Sequence, residues 1–195
     1  MEKRTKVEGQ KQIEVELRAM FDEIKYGELQ DLLNNSAKSL GADDKDVYFF
    51  ILPDKLVKVV NNISKGNAKI VLKLTKIGKG SGFEEIEIPI DPIFIEKSVN
   101  LFSNLGFNEI QQSFQKRNNY LYKDVEIALK YSDAWGYHME LEKIVSDKKD
   151  IEKAEQEIRG IAAEFNVHIM TDDELADFTA KKDREYREKN VKSKE

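Results

Sequence analysis

Between residues 12 and 20 the chain alternates, with Ile13, Val15 and Leu17 set against Glu14, Glu16 and Arg18. A period of two predicts a β-strand with one apolar face and one charged face. From about Gly27 to Leu40 the period changes: Leu29, Leu32, Leu33, Ala37 and Leu40 follow helical spacing, and Gly41 stands where a helix would stop. Val47 to Leu52 is aromatic and β-branched and predicts a second strand, closed by Pro53. Leu56 to Val60 and Lys69 to Lys76 predict two more, joined by the turn-like Asn61-Asn62 and Lys65-Gly66-Asn67. A flexible rim loop, Gly78 to Gly82, precedes a strand from Phe83 to Ile88, and it lacks the Gly-Lys-Ser/Thr ending of a P-loop.

Asp91-Pro92 opens a helix whose apolar face is Ile95, Val99, Leu101, Phe102 and Leu105, ended by Gly106. Strands are expected at about 107–117, 120–131 and 136–145. The stretch Lys148 to Phe165 is an amphipathic helix, and Thr171-Asp172-Asp173-Glu174 has the residues of a capping box that starts another. The chain after Lys181 is almost all charge and reads as solvated helix or disorder. No linker divides the sequence, so a single domain over 1–180 with a charged tail over 181–195 is expected. About eight strands with charged and apolar faces suit either an open sandwich or a closed barrel with a polar lumen and helices outside.

Three segments place carboxylates two residues apart: Glu14-Val15-Glu16, Glu85-Ile86-Glu87 and Glu140-Leu141-Glu142. On a strand each pair shares one face. Like charges on neighbouring strands repel, and a carboxylate taken out of water costs free energy unless it is compensated. A hard divalent cation beside Lys and Arg is the natural compensation, and it would bring a phosphate-rich ligand with it. The alternative is that these glutamates form the solvent face of exposed strands.

Composition narrows the chemistry. At 195 residues, 40% apolar and 35% charged, the chain reads as a globular protein with a real core. A net charge of −5 argues against a general nucleic-acid binder. The absence of cysteine removes disulfides, thiolate metal sites and cysteine nucleophiles, and two histidines, His138 and His168, exclude a histidine-rich metal site. No run reaches transmembrane length and the first eleven residues lack an apolar signal core, so a cytoplasmic protein without membrane partners is expected.

In this order the residues resemble the CYTH domain of triphosphate tunnel metalloenzymes, which includes class IV adenylyl cyclases, thiamine triphosphatases and inorganic triphosphatases. The opening Glu-x-Glu-x-Lys is similar to Glu14-Val15-Glu16-Leu17-Arg18, and an Asp-x-Tyr-Phe element to Asp46-Val47-Tyr48-Phe49. Basic strands correspond to Lys55-Leu56-Val57-Lys58 and Ile70-Val71-Leu72-Lys73, and an acidic strand to Glu85-Ile86-Glu87. A Lys-x-Arg-x-x-Tyr element resembles Gln115-Lys116-Arg117-Asn118-Asn119-Tyr120, and the closing motif resembles Gly136 to Glu142. The match runs in order from about residue 12 to 180. Arg18 replaces the usual lysine, Glu84 stands near an expected arginine, and Lys130 stands where the family often has a metal-binding aspartate.

The resemblance implies an α+β fold, a closed antiparallel eight-stranded barrel with helices packed outside. It implies Mg²⁺ or Mn²⁺ held by Glu14, Glu16, Glu140 and Glu142, with Glu85 and Glu87 binding metal or orienting bases. Arg18, Lys55, Lys58, Lys73 and Arg117 would grip phosphate oxygens, Arg18 and Arg117 through paired contacts. Arg18, Tyr48 and Lys73 are the expected catalytic residues, Tyr48 orienting water or substrate in company with Lys73. Trp135, Tyr137 and Phe83 are candidates for stacking on a base or thiamine ring, and His138 shares the parity of Glu140 and Glu142; ordinary packing is the alternative for each. The implied activity is metal-dependent hydrolysis of an inorganic, nucleoside or thiamine triphosphate. Cyclisation of ATP to cyclic AMP is the same-site alternative, and a non-catalytic phosphoryl-ligand binding module is another. A homodimer is compatible with these readings.

Overall fold

The computed structural model describes residues 13–74 and 80–192. Ten strands form one antiparallel sheet: β1 (Ile13–Met20), β2 (Lys38–Ala42), β3 (Lys45–Ile51), β4 (Leu56–Asn62), β5 (Asn67–Lys73), β6 (Gly82–Phe83), β7 (Glu85–Ile90), β8 (Ile110–Tyr122), β9 (Val125–Ser132) and β10 (Gly136–Val145). Their order is β6-β1-β10-β9-β8-β3-β4-β5-β7, with β2 paired to the far half of β8. Helices α1 (Glu23–Ser36), α2 (Ile95–Asn104), α3 (Ile151–Glu164) and α4 (Asp172–Lys192) accompany it.

The sheet is curled, and its convex side is the apolar one. Val15, Leu17 and Ala19 of β1, Ile127 and Leu129 of β9, and Met139 and Leu141 of β10 are buried against Leu29 and Leu33 of α1 and Ala154, Ile158 and Ile161 of α3. Phe50, Val57 and Val59 form a second cluster beneath Ile95, Val99 and Phe102 of α2. Each fully buried aliphatic or aromatic side chain contributes about 1.5–3 kcal/mol, so the stability of the fold resides outside the curl. The concave side is left for charge, broken by one apolar patch of Val47, Val60 and Val71 with Phe49.

The expected closed eight-stranded barrel is corrected to an open, curled half-barrel of ten strands. Among the described residues β6 pairs with β1 through Gly82 and Phe83, with Ser81 O accepting Glu16 N–H at 2.9 Å beside them, before the chain passes into β7 on the other edge, so the described seam has no ladder long enough to close it.

The first helix begins at Glu23 rather than Gly27, because the side chain of Asp22 accepts the Lys25 N–H at 2.8 Å and caps it. It ends at Ser36, and Lys38–Ala42 is a strand; Gly41, at φ +86°, sits at a register shift in the β2–β8 pairing rather than at a helix end. The expected break near residues 118–119 is absent. β8 runs unbroken to Tyr122, and the hairpin turns at Lys123 and Asp124, both at positive φ.

The capping box forms as expected: Glu174 N–H donates to Thr171 Oγ1 at 3.2 Å, and Thr171 N–H donates to the Glu174 carboxylate at 2.8 Å. α4 continues past residue 181 to Lys192, with Arg187 forking onto Glu109, just before β8, at 3.0 and 3.1 Å. The rim-loop residues Gly78 and Lys79 and the Phe83 side chain lie outside the described residues. No described helix is long and apolar enough to cross a membrane.

Candidate active site

A cavity of about 1030 Å³ fills the concave side of the sheet. The charged members of each alternating strand converge there: Glu14, Glu16 and Arg18 from β1, Lys58 from β4, Lys73 from β5, Glu85 and Glu87 from β7, Arg117 from β8, Lys130 from β9, and His138, Glu140 and Glu142 from β10. Strand register makes the juxtapositions. Glu16 lies opposite Glu142, and Arg18 opposite Glu140. Lys73 lies opposite Glu85, and Arg117 opposite Lys130.

Two hubs organise the charges. In the first, the Lys73 ammonium donates to Glu14 at 3.0 Å, Glu16 at 3.1 Å and Glu85 at 2.7 Å. Burial alone would lower the pKa of Lys73; the surrounding carboxylates, Glu16 foremost, outweigh it and raise it. Glu142 completes this acidic half without an ion pair among the described residues, and burial with Glu14 and Glu16 beside it pushes its carboxyl up to about 9. Lys58 projects into the same half, and burial followed by Lys73 pushes its ammonium down to about 8.

The second hub inverts the first. Glu140 receives Arg18 Nε at 3.2 Å on Oε1, and Lys130 Nζ at 3.0 Å and Arg117 Nη1 at 3.4 Å on Oε2. Burial opposes its ionisation, but Lys130, Arg18 and Arg117 hold its carboxyl well below the usual range. Arg18 joins the hubs through a second contact with Glu16. Buried ion pairs of this kind are weak sources of stability; what they fix is the direction of each charge.

The remaining predicted residues fall at the margins or outside. Lys55, paired with Asp54 at 3.1 Å, and Glu87, paired with Lys69, stand at the rim with substantial exposure. Tyr48 belongs to the convex face, beside the cluster under α2, and its hydroxyl accepts from Gln112 at 3.0 Å; it is not brought together with Lys73. Tyr137 packs its ring at a tilt against those of Tyr26 and Tyr131 rather than lining the cavity. Trp135 does line it, between His138 and Phe178 of α4. Burial and Lys130 push His138 down to about 3, so its ring is neutral; Nδ1–H then donates to Gly136 O at 2.9 Å and Nε2 is left an acceptor.

Sequence reasoning missed a third cluster. Buried Asp43 accepts from Asn62 at 2.6 Å and pairs with Lys45 at 2.8 Å and Lys65 at 2.9 Å, which together hold it ionised although burial opposes this. Asp43 sits in the connection between β2 and β3, where no periodic pattern marks it. Glu126, by contrast, shares the alternation of Ala128 and Lys130 against Val125, Ile127 and Leu129, a legible signal.

The donor set suits a hard cation chemically: Glu142 forms no ion pair among the described residues, and Glu14 beside it shares Lys73 with Glu16 and Glu85. Among the described residues, however, no three acidic or histidine side chains are already drawn together as a cage.

The CYTH domain family model matches residues 62–188. A curated relative from Methanocaldococcus jannaschii, named "Putative adenylate cyclase", is 29% identical over 163 residues, covering 80% of this chain and 90% of that one. A solved structure of a conserved hypothetical protein from Pyrococcus furiosus superposes with a TM-score of 0.66 at 21% identity, over 80% of this chain and 94% of the other. A Hippeastrum protein, titled an adenylyl cyclase candidate with a dominant triphosphatase activity, gives 0.58 at 16% identity over 81% and 89%. With its family model spanning well over half of the sequence, this chain belongs to the CYTH domain family.

Proposed function

We propose that the protein hydrolyses the terminal phosphoanhydride of a small triphosphate in the concave cavity, with Mg²⁺ or Mn²⁺ as cofactor. The observation that carries this reading is the division of the cavity into a carboxylate-rich half around Lys73 and a cation-rich half around Glu140. Phosphoryl transfer depends on positioning and charge neutralisation more than on covalent participation by the protein. Arg18, Arg117 and Lys130 present fixed donors to phosphate oxygens, and Lys58 and Lys73 extend that grip into the acidic half. Glu14 and Glu142, with Glu16 and Glu85 beside them, would hold the cation. A bound divalent ion supplies charge neutralisation at phosphate oxygens and a polarised water. The Hippeastrum and Methanocaldococcus names lend support without identifying the substrate.

Cyclisation of ATP is the second reading, favoured by the aromatic end of the cavity, where Trp135 and the acceptor nitrogen of His138 suit a nucleoside better than an inorganic chain. A ³¹P NMR time course with tripolyphosphate and with ATP, in Mg²⁺, Mn²⁺ or EDTA, separates the readings. Metal-dependent orthophosphate is the expected product. Pyrophosphate with cyclic AMP from ATP would select the cyclase, and binding without any turnover would leave a phosphoryl-ligand module.

A further inference from the structure

We infer that the Lys130 ammonium occupies the electrostatic place of a metal ion, so that this chain seats one divalent cation, between Glu14 and Glu142, and none on Glu140. The inference rests on the metal-dependent reading above and gives its site a stoichiometry.

Both oxygens of Glu140 are taken. Oε1 accepts from Arg18 at 3.2 Å, and Oε2 contacts Lys130 at 3.0 Å and Arg117 at 3.4 Å. A divalent ion bound at the usual distance of about 2.0–2.1 Å from either oxygen would stand beside three positive groups and would have to displace them. Those groups have nowhere better to go. The Lys130 side chain is 5% exposed and that of Arg18 4%, and both are held in the ladder between neighbouring strands. Lys130 is also placed by register, directly opposite Arg117 on one side and His138 on the other. Three cations from β1, β8 and β9 therefore converge on one carboxylate, and the excess positive charge faces the cavity.

Two residues along β10 the situation reverses. Glu142 lies across from Glu16 and near Glu14, and no ion pair to it is formed by the described residues. Lys73 is already divided among Glu14, Glu16 and Glu85. A cation entering the cavity gains there and loses at Glu140. The tethered ammonium differs from a metal in one useful respect: it stays whatever the metal concentration, so the cation-rich half can hold phosphate before any metal arrives.

The test is a titration of the full chain with Mn²⁺ alone, following free Mn²⁺ by electron paramagnetic resonance. One ion per wild-type chain is expected. Glu142→Gln should weaken that ion at least ~10-fold, as loss of a direct ligand exceeds the effect of outer-shell changes, while Glu140→Gln should leave it within about twofold. Lys130→Glu, checked by melting to be folded, should bind a second ion; Lys130→Gln, which adds no carboxylate, should not. Two ions on the wild-type chain would overturn the inference and leave the metal-dependent reading standing. So would loss of the single ion in Glu140→Gln, or a folded Lys130→Glu that still binds one. No Mn²⁺ bound to wild type at all would overturn the metal-dependent reading together with the inference.

Discussion

The two hubs of the cavity use the same interactions in opposite ratios. Around Lys73 one cation serves three carboxylates; around Glu140 one carboxylate serves three cations. Neither hub is neutral, and the imbalance is what a ligand can use. Under the proposed function the first would attract a metal ion and the second phosphate, and Arg18, in contact with Glu16 and Glu140, links the two. A cavity with every charge matched would be a better-satisfied interior and a poorer binding site.

The largest expected effect comes from removing the centre of the acidic hub. Lys73→Met leaves three carboxylates without their shared partner, and breaking a buried pair costs about 3–5 kcal/mol. Chemical denaturation in EDTA should show that loss; an unchanged midpoint would mean the hub relaxes by protonation or by admitting water. Next is Glu14→Gln, expected to lower kcat at least ~100-fold, comparable with the loss of one preorganised electrostatic contact, while the melting temperature holds. A near-normal rate would move the chemistry away from this hub.

The comparison sharpens further with pH. Lys58 has its pKa pushed down to about 8 by burial and by Lys73, so it is charged below that value and neutral above it. Affinity for tripolyphosphate, measured by calorimetry, should therefore fall as pH rises from 7 to 9. Lys58→Met should bind about 10-fold more weakly at pH 7 and show a smaller fall, the remainder belonging to Lys130, whose pKa burial also pushes down to about 8. A fall as steep as wild type would assign the titration elsewhere. The smallest effect is expected outside the cavity: Tyr48→Phe removes one exposed hydrogen bond to Gln112, costs about 0.5–1.5 kcal/mol of stability at most, and should leave kcat within about twofold.

Tyr48 also shows how far the sequence could be read. Its neighbours alternate, and Lys45, Val47 and Phe49 line the cavity, so Tyr48 is on the other face by the same rule of two that puts Glu14, Glu16 and Arg18 on one face of β1. A motif match names residues; parity assigns them to a face. The misplaced boundaries have a different origin. Asn118 and Asn119 have the composition of a turn, yet Asn119 is buried within β8 and donates to Asp43 and Glu126. Local propensity was outweighed by partners that lie 76 and seven residues away.

The sequence by itself determined the strands with one charged and one apolar face, the helices that cover the apolar one, and the pairs of carboxylates destined for a common surface. Side-chain alternation is a local consequence of backbone geometry, so it can be read from any nine residues. Only the tertiary structure decided which charges meet. Strand register put Glu140 against Arg18 and Lys130 beside Arg117, gathered Asp43 from a connection with no pattern, and left the sheet open where Gly82 and Phe83 are too short a seam. These are contacts between residues distant along the chain, set by packing of the convex face against its helices, and no local pattern encodes them.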